Sequence, residues 1–261
     1  LHSAPLEAVD IAAASTFVLA LAPQARGHAL YHYLPQGLSF AAGRVRARAR
    51  PLEVRRRKGD HFTLGAPETL DLAIIDVVLM RQDPPFDMGY ITTTHLLEHI
   101  HPQTLVVNDP AEVRNAPEKL YVTRFPNLMP PTLISSDAEQ IAAFRAEHKD
   151  IILKPLYGNG GSGVFHVTPE DENLSALLEM FTEFYREPII AQKSLAEVRA
   201  GDSRIILIDG EAAGVINRIP AEGAARATMP IVAEPVKCVL SPRDREICAA
   251  IAPARKSPRL N

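Results

Sequence analysis

A glycine-rich segment that follows a lysine-bearing apolar strand is the most informative feature for chemistry. Residues 158–163 read Gly-Asn-Gly-Gly-Ser-Gly, and Lys154 lies just before them in the apolar run 151–155. Glycine lets backbone N–H groups approach phosphate oxygens closely. A lysine in such a strand is costly to bury unless it meets an anion. The combination indicates phosphate binding, although the loop taken alone is more often an ordinary hairpin turn.

This segment differs from a Walker A loop. No Gly-Lys-Ser/Thr sequence follows it, and the next predicted element is the strand 164–167 rather than a helix. A glycine loop between two strands is typical of a flexible flap over phosphates. Lys119 is a second upstream cation, for which an exposed surface lysine is the simpler interpretation.

Two further motifs carry groups that can do chemistry. The segment 95–99 reads His-Leu-Leu-Glu-His, a string found in some zinc peptidases, but Leu96, Leu97 and Ile100 have the spacing of a helix packing face. We therefore interpret it as structural. The carboxylates of Asp83 and Asp87 could serve acid–base catalysis, but the prolines between them favour a rigid substrate-binding loop.

The elements that would position these residues begin with a β-α-β unit. Strands over 74–80 and 104–107 flank a helix over 90–100, and the crossover should be right-handed. The strands read as buried on both faces of a parallel sheet. Ligands of such sheets gather beyond the carboxyl ends of the strands, here the polar segments 81–87 and 108–110.

Upstream of this unit the sequence predicts a helix capped by Ser15 and ended by Gly27, then a strand over 28–34. Residues 44–50 alternate arginine with apolar residues, which indicates an exposed strand with its arginines on one face. Eight basic residues fall between Arg44 and Lys58. They raise the alternative of a nucleic-acid binder, but no aromatic residue is interleaved to stack on bases.

A second, α+β module is predicted from about residue 117 onwards. Its expected elements are a helix over 137–148 capped by Asp137, strands over 151–155, 164–167 and 189–192, a helix over 174–185, and a hairpin of 204–208 with 215–217 around Asp209-Gly210. The predicted fold class is therefore α/β. A small N-terminal domain with a parallel sheet (1–117) precedes an α+β domain (118–261).

Composition bounds the class of protein. The 261 residues are 46% hydrophobic and 23% charged, which is the balance of a globular chain rather than a disordered one. A net charge of −3 gives no general reason to expect a nucleic acid or an anionic membrane as partner. No apolar run approaches the roughly 20 residues of a membrane span. Cys238 and Cys248 form no disulfide framework and no signal peptide is evident, so a cytoplasmic location is expected.

Five ordered segments of the chain closely resemble bacterial glutathione synthetase. They are residues 79–87, 106–110, 115–120, 150–161 and 201–211. The resemblance implies an ATP-grasp ligase that uses ATP and Mg²⁺ to join γ-glutamylcysteine and glycine. The γ-phosphate would pass to the cysteinyl carboxylate, and the glycine amine would attack the acyl phosphate. These partners are small molecules, and a homo-oligomer is left open.

The resemblance also assigns roles to individual residues. Arg204 and Arg218 would clamp the carboxylates or the acyl phosphate. The nucleotide would be held by Lys119, Lys154, Gly158, Gly160, Gly161, Gln192, Leu195 and Asp202. Gln192 and Leu195 correspond to the adenine hinge, and Asp202 to the ribose contact. γ-Glutamylcysteine would be held by Arg81, Asp83, Pro84, Phe86 and Arg226.

The chain departs from the family pattern at three places. The loop 222–235 keeps Arg226 but lacks the paired glycines that precede its Glu-Pro. Ala4 stands where an acidic residue usually precedes Pro5. The chain ends before the family's strands that carry the Mg²⁺ ligands, so we expect those ligands beyond residue 261 and little turnover from these residues alone. A non-catalytic nucleotide-binding remnant, or a ligase with another acceptor amine, are the alternatives.

Overall fold

The computed structural model describes residues 1–12, 14–158, 160–219 and 234–252, so Arg226 and most of the loop 222–235 lie outside the described residues. The chain divides into two compact units, Leu1–Pro117 and Glu118–Asn261. None of the helices in the described part has the length and apolar character that a bilayer-spanning segment requires.

The first unit contains eight strands and three helices among its described residues. In chain order they are β1 (His2–Ser3), α1 (Ser15–Ala25), β2 (Leu30–His32), β3 (Leu38–Ala41), β4 (Arg44–Val54), β5 (Phe62–Leu64), β6 (Glu68–Asp71), β7 (Val77–Arg81), α2 (Met88–Glu98), β8 (Leu105–Val107) and α3 (Pro110–Asn115). Short 3-10 helices connect several of them.

The β-α-β prediction is confirmed. Strands β7 and β8 pair in parallel with α2 between them in sequence, and β1 adds to the other side of β7 in parallel, giving the sheet order β1-β7-β8. Val78 and Val106 enter the core, together with Leu97 from α2. The carboxyl end of β7 thus leads directly into the polar segment that starts at Arg81.

The expectation that both strands are buried on both faces is wrong. Successive side chains of a strand point to opposite faces, and only the face carrying Val78 and Val106 packs against the core cluster. Val77 and Val107 are 42% and 38% exposed. The first strand also begins later than predicted, because Leu72–Ile74 forms a 3-10 turn that leaves Ile74 77% exposed.

The arginine-rich strand β4 is the centre of an antiparallel sheet. It pairs with β2, β3, β5 and β6, which the sequence did not reveal. The predicted alternation is confirmed, since Val45, Ala47 and Ala49 are buried while the arginines between them are more exposed.

Several of the basic residues already have partners within the chain. Arg44 pairs with Asp71 at 2.9 Å, and Arg57 lies 3.3 Å from Asp60, which also pairs with Arg55. These contacts fit the solvated-strand interpretation.

Helix α1 differs from the prediction at its first turn. The N-cap position is Ala14, and Ser15 is the first helical residue, so Ser15 does not cap the helix. Its hydroxyl group is instead engaged by the guanidinium of Arg81. Gly27 has a φ of +83° just after the helix end, which is the predicted stop.

The second unit has the following described elements. They are α4 (Glu118–Tyr121), β9 (Thr132–Ser135), α5 (Ala138–His148), β10 (Ile151–Pro155), β11 (Phe165–Val167), α6 (Leu174–Phe184), β12 (Ile189–Lys193), β13 (Asp202–Ile208), β14 (Glu211–Ile219), β15 (Glu234–Lys237) and α7 (Pro242–Ile251).

Two antiparallel sheets organise this unit, in the orders β11-β10-β12-β9 and β13-β14-β15. Helices α5 and α6 contribute Ile141 and Phe181 to the core that covers one face of the first sheet. The predicted cap is confirmed, because the Asp137 carboxylate accepts from two backbone N–H groups at the start of α5. The hairpin turn is also confirmed, with Asp209 and Gly210 at φ of +51° and +82°, the geometry of a type I′ turn.

Candidate functional site

Lys154 lies on the face of the first sheet of the second unit that is turned away from the helices. Its neighbours in β10, Ile151 and Leu153, are fully buried in the helix-covered core, so the alternate residue Lys154 points to the opposite face. There its ammonium donates to Gln192 Oε1 at 2.9 Å. Gln192 in turn donates from Nε2 to Thr132 Oγ1 at 2.8 Å, so a polar row crosses three strands.

Lys119, which lies in helix α4, holds the start of the glycine segment. Its ammonium donates to the carbonyl oxygens of Pro155 at 2.7 Å and Gly158 at 2.6 Å. These two carbonyls flank the residues that join β10 to the glycines. A single cation therefore fixes the entry to the loop and keeps one N–H of its three for another acceptor.

The glycine segment has a backbone that other residues would not adopt easily. Gly160, Gly161 and Gly163 have positive φ values of 59°, 76° and 69°. Gly158 is required for a different reason, since an added Cβ would lie 2.5 Å from Pro155 Cγ. The loop thus combines a left-handed turn with a close backbone approach, as a phosphate-binding loop needs.

The two lysines are cations that form no ion pair with any described residue. Both are partly buried, and desolvation is the main cause that lowers the pKa of each. The charge of Lys154 lowers the pKa of Lys119 further, while Glu118 opposes the shift at both. Each ammonium bonds only to neutral oxygen atoms. This arrangement would be stabilised by a polyanion.

The residues predicted for the nucleotide base are placed on β12 and just after it. Gln192 is half-buried in the polar row described above. Leu195 follows the strand, precedes a 3-10 turn at Ala196–Ala200, and is 46% exposed.

The hairpin of β13 and β14 brings three predicted site residues onto one face. Asp202 lies directly opposite Arg218, and Arg204 follows two residues along the same strand face. The Arg218 Nε donates to Asp202 Oδ2 at 3.1 Å, and its Nη2 bonds to the same carboxylate. Arg204 has no ion-pair partner within the described ranges.

In the first unit, Arg81 closes β7 and is held by helix α1. Its Nε donates to Thr16 Oγ1 at 3.1 Å and its Nη2 to Ser15 Oγ at 3.0 Å. The next residue, Gln82, is bonded through Oε1 to the buried His2 Nε2 at 2.9 Å.

The predicted loop that follows Arg81 leads into helix α2. Asp83 and Pro84 are exposed, and the Phe86 ring packs 5.1 Å from the ring of Tyr90. Asp87 is the N-cap of α2 and accepts from the backbone N–H of Tyr90 at 2.9 Å. Its role is therefore structural, in keeping with the substrate-loop interpretation rather than with a carboxylate pair.

The histidines of the segment 95–99 are engaged separately. His95 lies 3.9 Å from Glu98, whereas the His99 ring stacks on Phe40 with centroids 4.9 Å apart. Leu97 and Ile100 are buried, as the packing interpretation requires. The described residues contain no group of three or more potential metal ligands, so no protein ligand for Mg²⁺ is assigned among them.

Sequence reasoning missed the residues that support the predicted ones. Thr132 completes the polar row only because β9 pairs with β12, and this pairing joins residues 60 positions apart. Ser15 and Thr16 support Arg81 from 66 and 65 positions away. A lone polar residue at the start of a strand or a helix carries no signal for such contacts.

Comparison with known proteins matches both units to one family. The family model described as prokaryotic glutathione synthetase, N-terminal domain, matches residues 2–114. The model described as prokaryotic glutathione synthetase, ATP-grasp domain, matches residues 118–260. Together the two matches cover nearly the whole chain.

Curated relatives agree with this match. A glutathione synthetase from Brucella melitensis is 59% identical over 251 residues, which cover 96% of this chain and 80% of that protein. A glutathione synthetase from Agrobacterium fabrum is 57% identical over 246 residues, covering 94% of this chain and 77% of that protein.

Solved structures share the fold at low sequence identity. An ATP-grasp RimK domain protein from Sphaerobacter thermophilus has a TM-score of 0.61 at 17% identity and covers 97% of this chain and 81% of its own. D-alanyl-alanine synthetase A from Vibrio cholerae has a TM-score of 0.55 at 14% identity, and the match covers 92% of this chain and 76% of that protein. The predicted fold class and enzyme class are confirmed. The chain belongs to the prokaryotic glutathione synthetase family of ATP-dependent, ATP-grasp ligases.

Proposed function

We propose that the protein joins γ-glutamylcysteine and glycine to form glutathione, with conversion of ATP to ADP and phosphate. The observation that carries this proposal is the pair of desolvated cations Lys119 and Lys154, which form no ion pair among the described residues and lie beside a glycine loop. They suit a triphosphate whose terminal group activates a carboxylate as an acyl phosphate for attack by an amine.

The lysines and the loop are proposed to bind the nucleotide. Lys154 would keep its place on the sheet face through Gln192 and direct its remaining N–H groups at phosphate oxygens. Lys119 would do the same with its remaining N–H while it holds the loop entry. The backbone of Gly158, Gly160 and Gly161 would approach the phosphates, and Leu195 would contribute backbone groups for the base.

The β13–β14 hairpin is proposed to act on the reacting groups. Arg204, which has no ion-pair partner among the described residues, is suited to the negative charge of the carboxylate and of the acyl phosphate formed from it. Asp202 orients Arg218 on the same face and is proposed to contact the ribose as well. Arg226 is proposed for substrate binding from its sequence position alone.

The segment from Arg81 to Phe86 is proposed to bind γ-glutamylcysteine. The Arg81 guanidinium is fixed by two hydroxyl groups, and Asp83 and Pro84 in the same segment are exposed. Mg²⁺, when bound, would neutralise charge on the transferring phosphoryl group. We further propose a cytoplasmic location, with small molecules rather than nucleic acids or membranes as partners, and leave the oligomeric state to measurement.

A product analysis tests this proposal. The purified protein, as its gene encodes it, is incubated with ATP, Mg²⁺, γ-glutamylcysteine and glycine, and peptide products are quantified by mass spectrometry. We expect equal amounts of glutathione, ADP and phosphate, and no phosphate release when the dipeptide is omitted. A faster reaction with another amine would assign a different acceptor. ATP binding without peptide formation from any amine would contradict ligase activity.

A further inference from the structure

Two hydroxyl groups at the start of helix α1 determine which edge of the Arg81 guanidinium is free. Thr16 Oγ1 accepts from Nε and Ser15 Oγ accepts from Nη2, at 3.1 and 3.0 Å. These two nitrogens form one edge of the planar group. The remaining edge, formed by both Nη atoms, presents one N–H donor from each, and Nη1 keeps one further N–H.

That remaining edge is the one that can receive a carboxylate with two parallel hydrogen bonds. No carboxylate among the described residues forms an ion pair with Arg81. The charge does reach its surroundings, because Arg81 lowers the pKa of the neighbouring Tyr90 while burial, the larger effect, raises it.

The hydroxyl groups also keep the guanidinium in place before a ligand arrives. Arginine has a long side chain whose immobilisation costs conformational entropy when it binds. Here the start of α1 has immobilised it already. The residue that follows, Gln82, is held by the buried His2, so the backbone leading into the loop is anchored as well.

We propose that Ser15 and Thr16 are positioning residues that present Arg81 to the α-carboxylate of the substrate's γ-glutamyl group. This inference rests on the proposed function and names the substrate group that the first unit recognises. A preorganised guanidinium suits a carboxylate that keeps its charge throughout the reaction. The cysteinyl carboxylate loses its charge on phosphorylation and is the less suitable partner.

The test compares the wild-type protein with a Ser15→Ala/Thr16→Val double variant. We expect the KM for γ-glutamylcysteine to rise about tenfold, because Arg81 must be ordered on binding. The KM values for ATP and glycine should stay within about twofold. The single variant Thr16→Ser, which keeps both hydroxyl groups, should keep most of the wild-type affinity for γ-glutamylcysteine. Thr182→Val is the matched control, because it removes a helix hydroxyl whose one partner among the described residues is Leu178 O.

A dipeptide with the γ-glutamyl α-carboxylate converted to a carboxamide identifies the group that is recognised. The wild-type protein should bind this analogue at least tenfold more weakly than the acid, and the double variant should discriminate less between the two. Equal discrimination by both proteins, or a parallel rise in all three KM values, would overturn the inference while leaving ligation in place. A wild-type protein that forms no peptide would instead overturn the proposed function.

Discussion

At the scale of single residues, the candidate site is defined by positive charges that form no ion pair within the described part of the chain. Lys154 and Lys119 are partly desolvated, the charge of Lys154 lowers the pKa of Lys119, and both bond only to neutral oxygens in the described part of the chain. Such an arrangement reduces the stability of the folded state, because burial penalises each charge. Under the proposed function, the phosphate groups of ATP would offset this cost.

Replacement of Lys154 by methionine should separate stability from activity. We expect the affinity for ATP to fall at least tenfold and turnover to fall about 10²-fold to 10³-fold. The free energy of unfolding should stay equal or rise, because an apolar side chain replaces a desolvated cation. Calorimetric ATP titration, steady-state kinetics and urea unfolding measure the three quantities.

Lys149→Met is the control for this experiment, since Lys149 is exposed at the end of α5. It should change none of the three quantities appreciably. A Lys154→Met protein that loses stability but keeps its ATP affinity would mean that Lys154 is a structural residue.

Acid stability tests the buried His2, whose ring bonds to Gln82. Burial is the main cause that lowers the pKa of His2 to about 4 from 6.5; the hydrogen bond to Gln82 opposes the shift, and the charges of the Leu1 amino group and of His32 add to it. The unfolded chain therefore binds a proton at a higher pH than the folded chain, so stability falls as the pH drops from about 6.5 towards 4. From pH 7 to pH 5 the loss attributable to His2 should be about 2 kcal/mol.

Urea unfolding at the two pH values checks this expectation. His2→Gln should reduce the pH-dependent loss by about that amount, whatever its effect on stability at pH 7. His28→Gln, at an exposed position, should leave the loss unchanged. An undiminished loss in His2→Gln would show that other groups cause the acid sensitivity.

At the scale of elements, the glycine segment depends on the strand before it and on the helix that carries Lys119. Gly158 packs against Pro155, the last residue of β10, and its carbonyl accepts from Lys119. The loop conformation is thus set partly by contacts within the protein. Because of these contacts, the addition of a single methyl group at Gly158 tests the role of the loop.

Gly158→Ala should weaken ATP binding about tenfold. The new Cβ would lie 2.5 Å from Pro155 Cγ, so the backbone must shift at a cost of about 1–3 kcal/mol. Gly214→Ala is the matched control, because its Cβ would meet nothing within 4 Å and its φ is not positive. Calorimetric titration with ATP compares the two. Equal affinity in both variants would exclude a nucleotide contact by the loop in this conformation.

Elements could be predicted from the sequence where near neighbours determine them. The strand Ile151–Pro155, the Asp137 cap and the Asp209-Gly210 turn all follow from short patterns. The antiparallel sheet around β4 could not be predicted, because its pairing joins strands separated by loops of variable length. The error at Ser15 has a similar cause, since its partner Arg81 is distant in sequence.

At the scale of the whole molecule, each unit carries its own set of predicted site residues. The first unit, Leu1–Pro117, positions Arg81 at the carboxyl end of β7, and the second, Glu118–Asn261, positions the lysines, the glycine loop and the hairpin arginines. The family could be recognised from five ordered segments. The hydrogen bond between Thr132 and Gln192 could not be predicted, because it depends on strand register.

The most direct test of the whole account follows oxygen atoms through the reaction. γ-Glutamylcysteine labelled with ¹⁸O in its cysteinyl carboxylate is supplied with ATP, Mg²⁺ and glycine, and the released phosphate is analysed by mass spectrometry. Activation of the carboxylate by phosphoryl transfer predicts one ¹⁸O atom in each phosphate, with the other retained in glutathione. Unlabelled phosphate, or labelled substrate recovered intact while ATP is hydrolysed, would contradict the account.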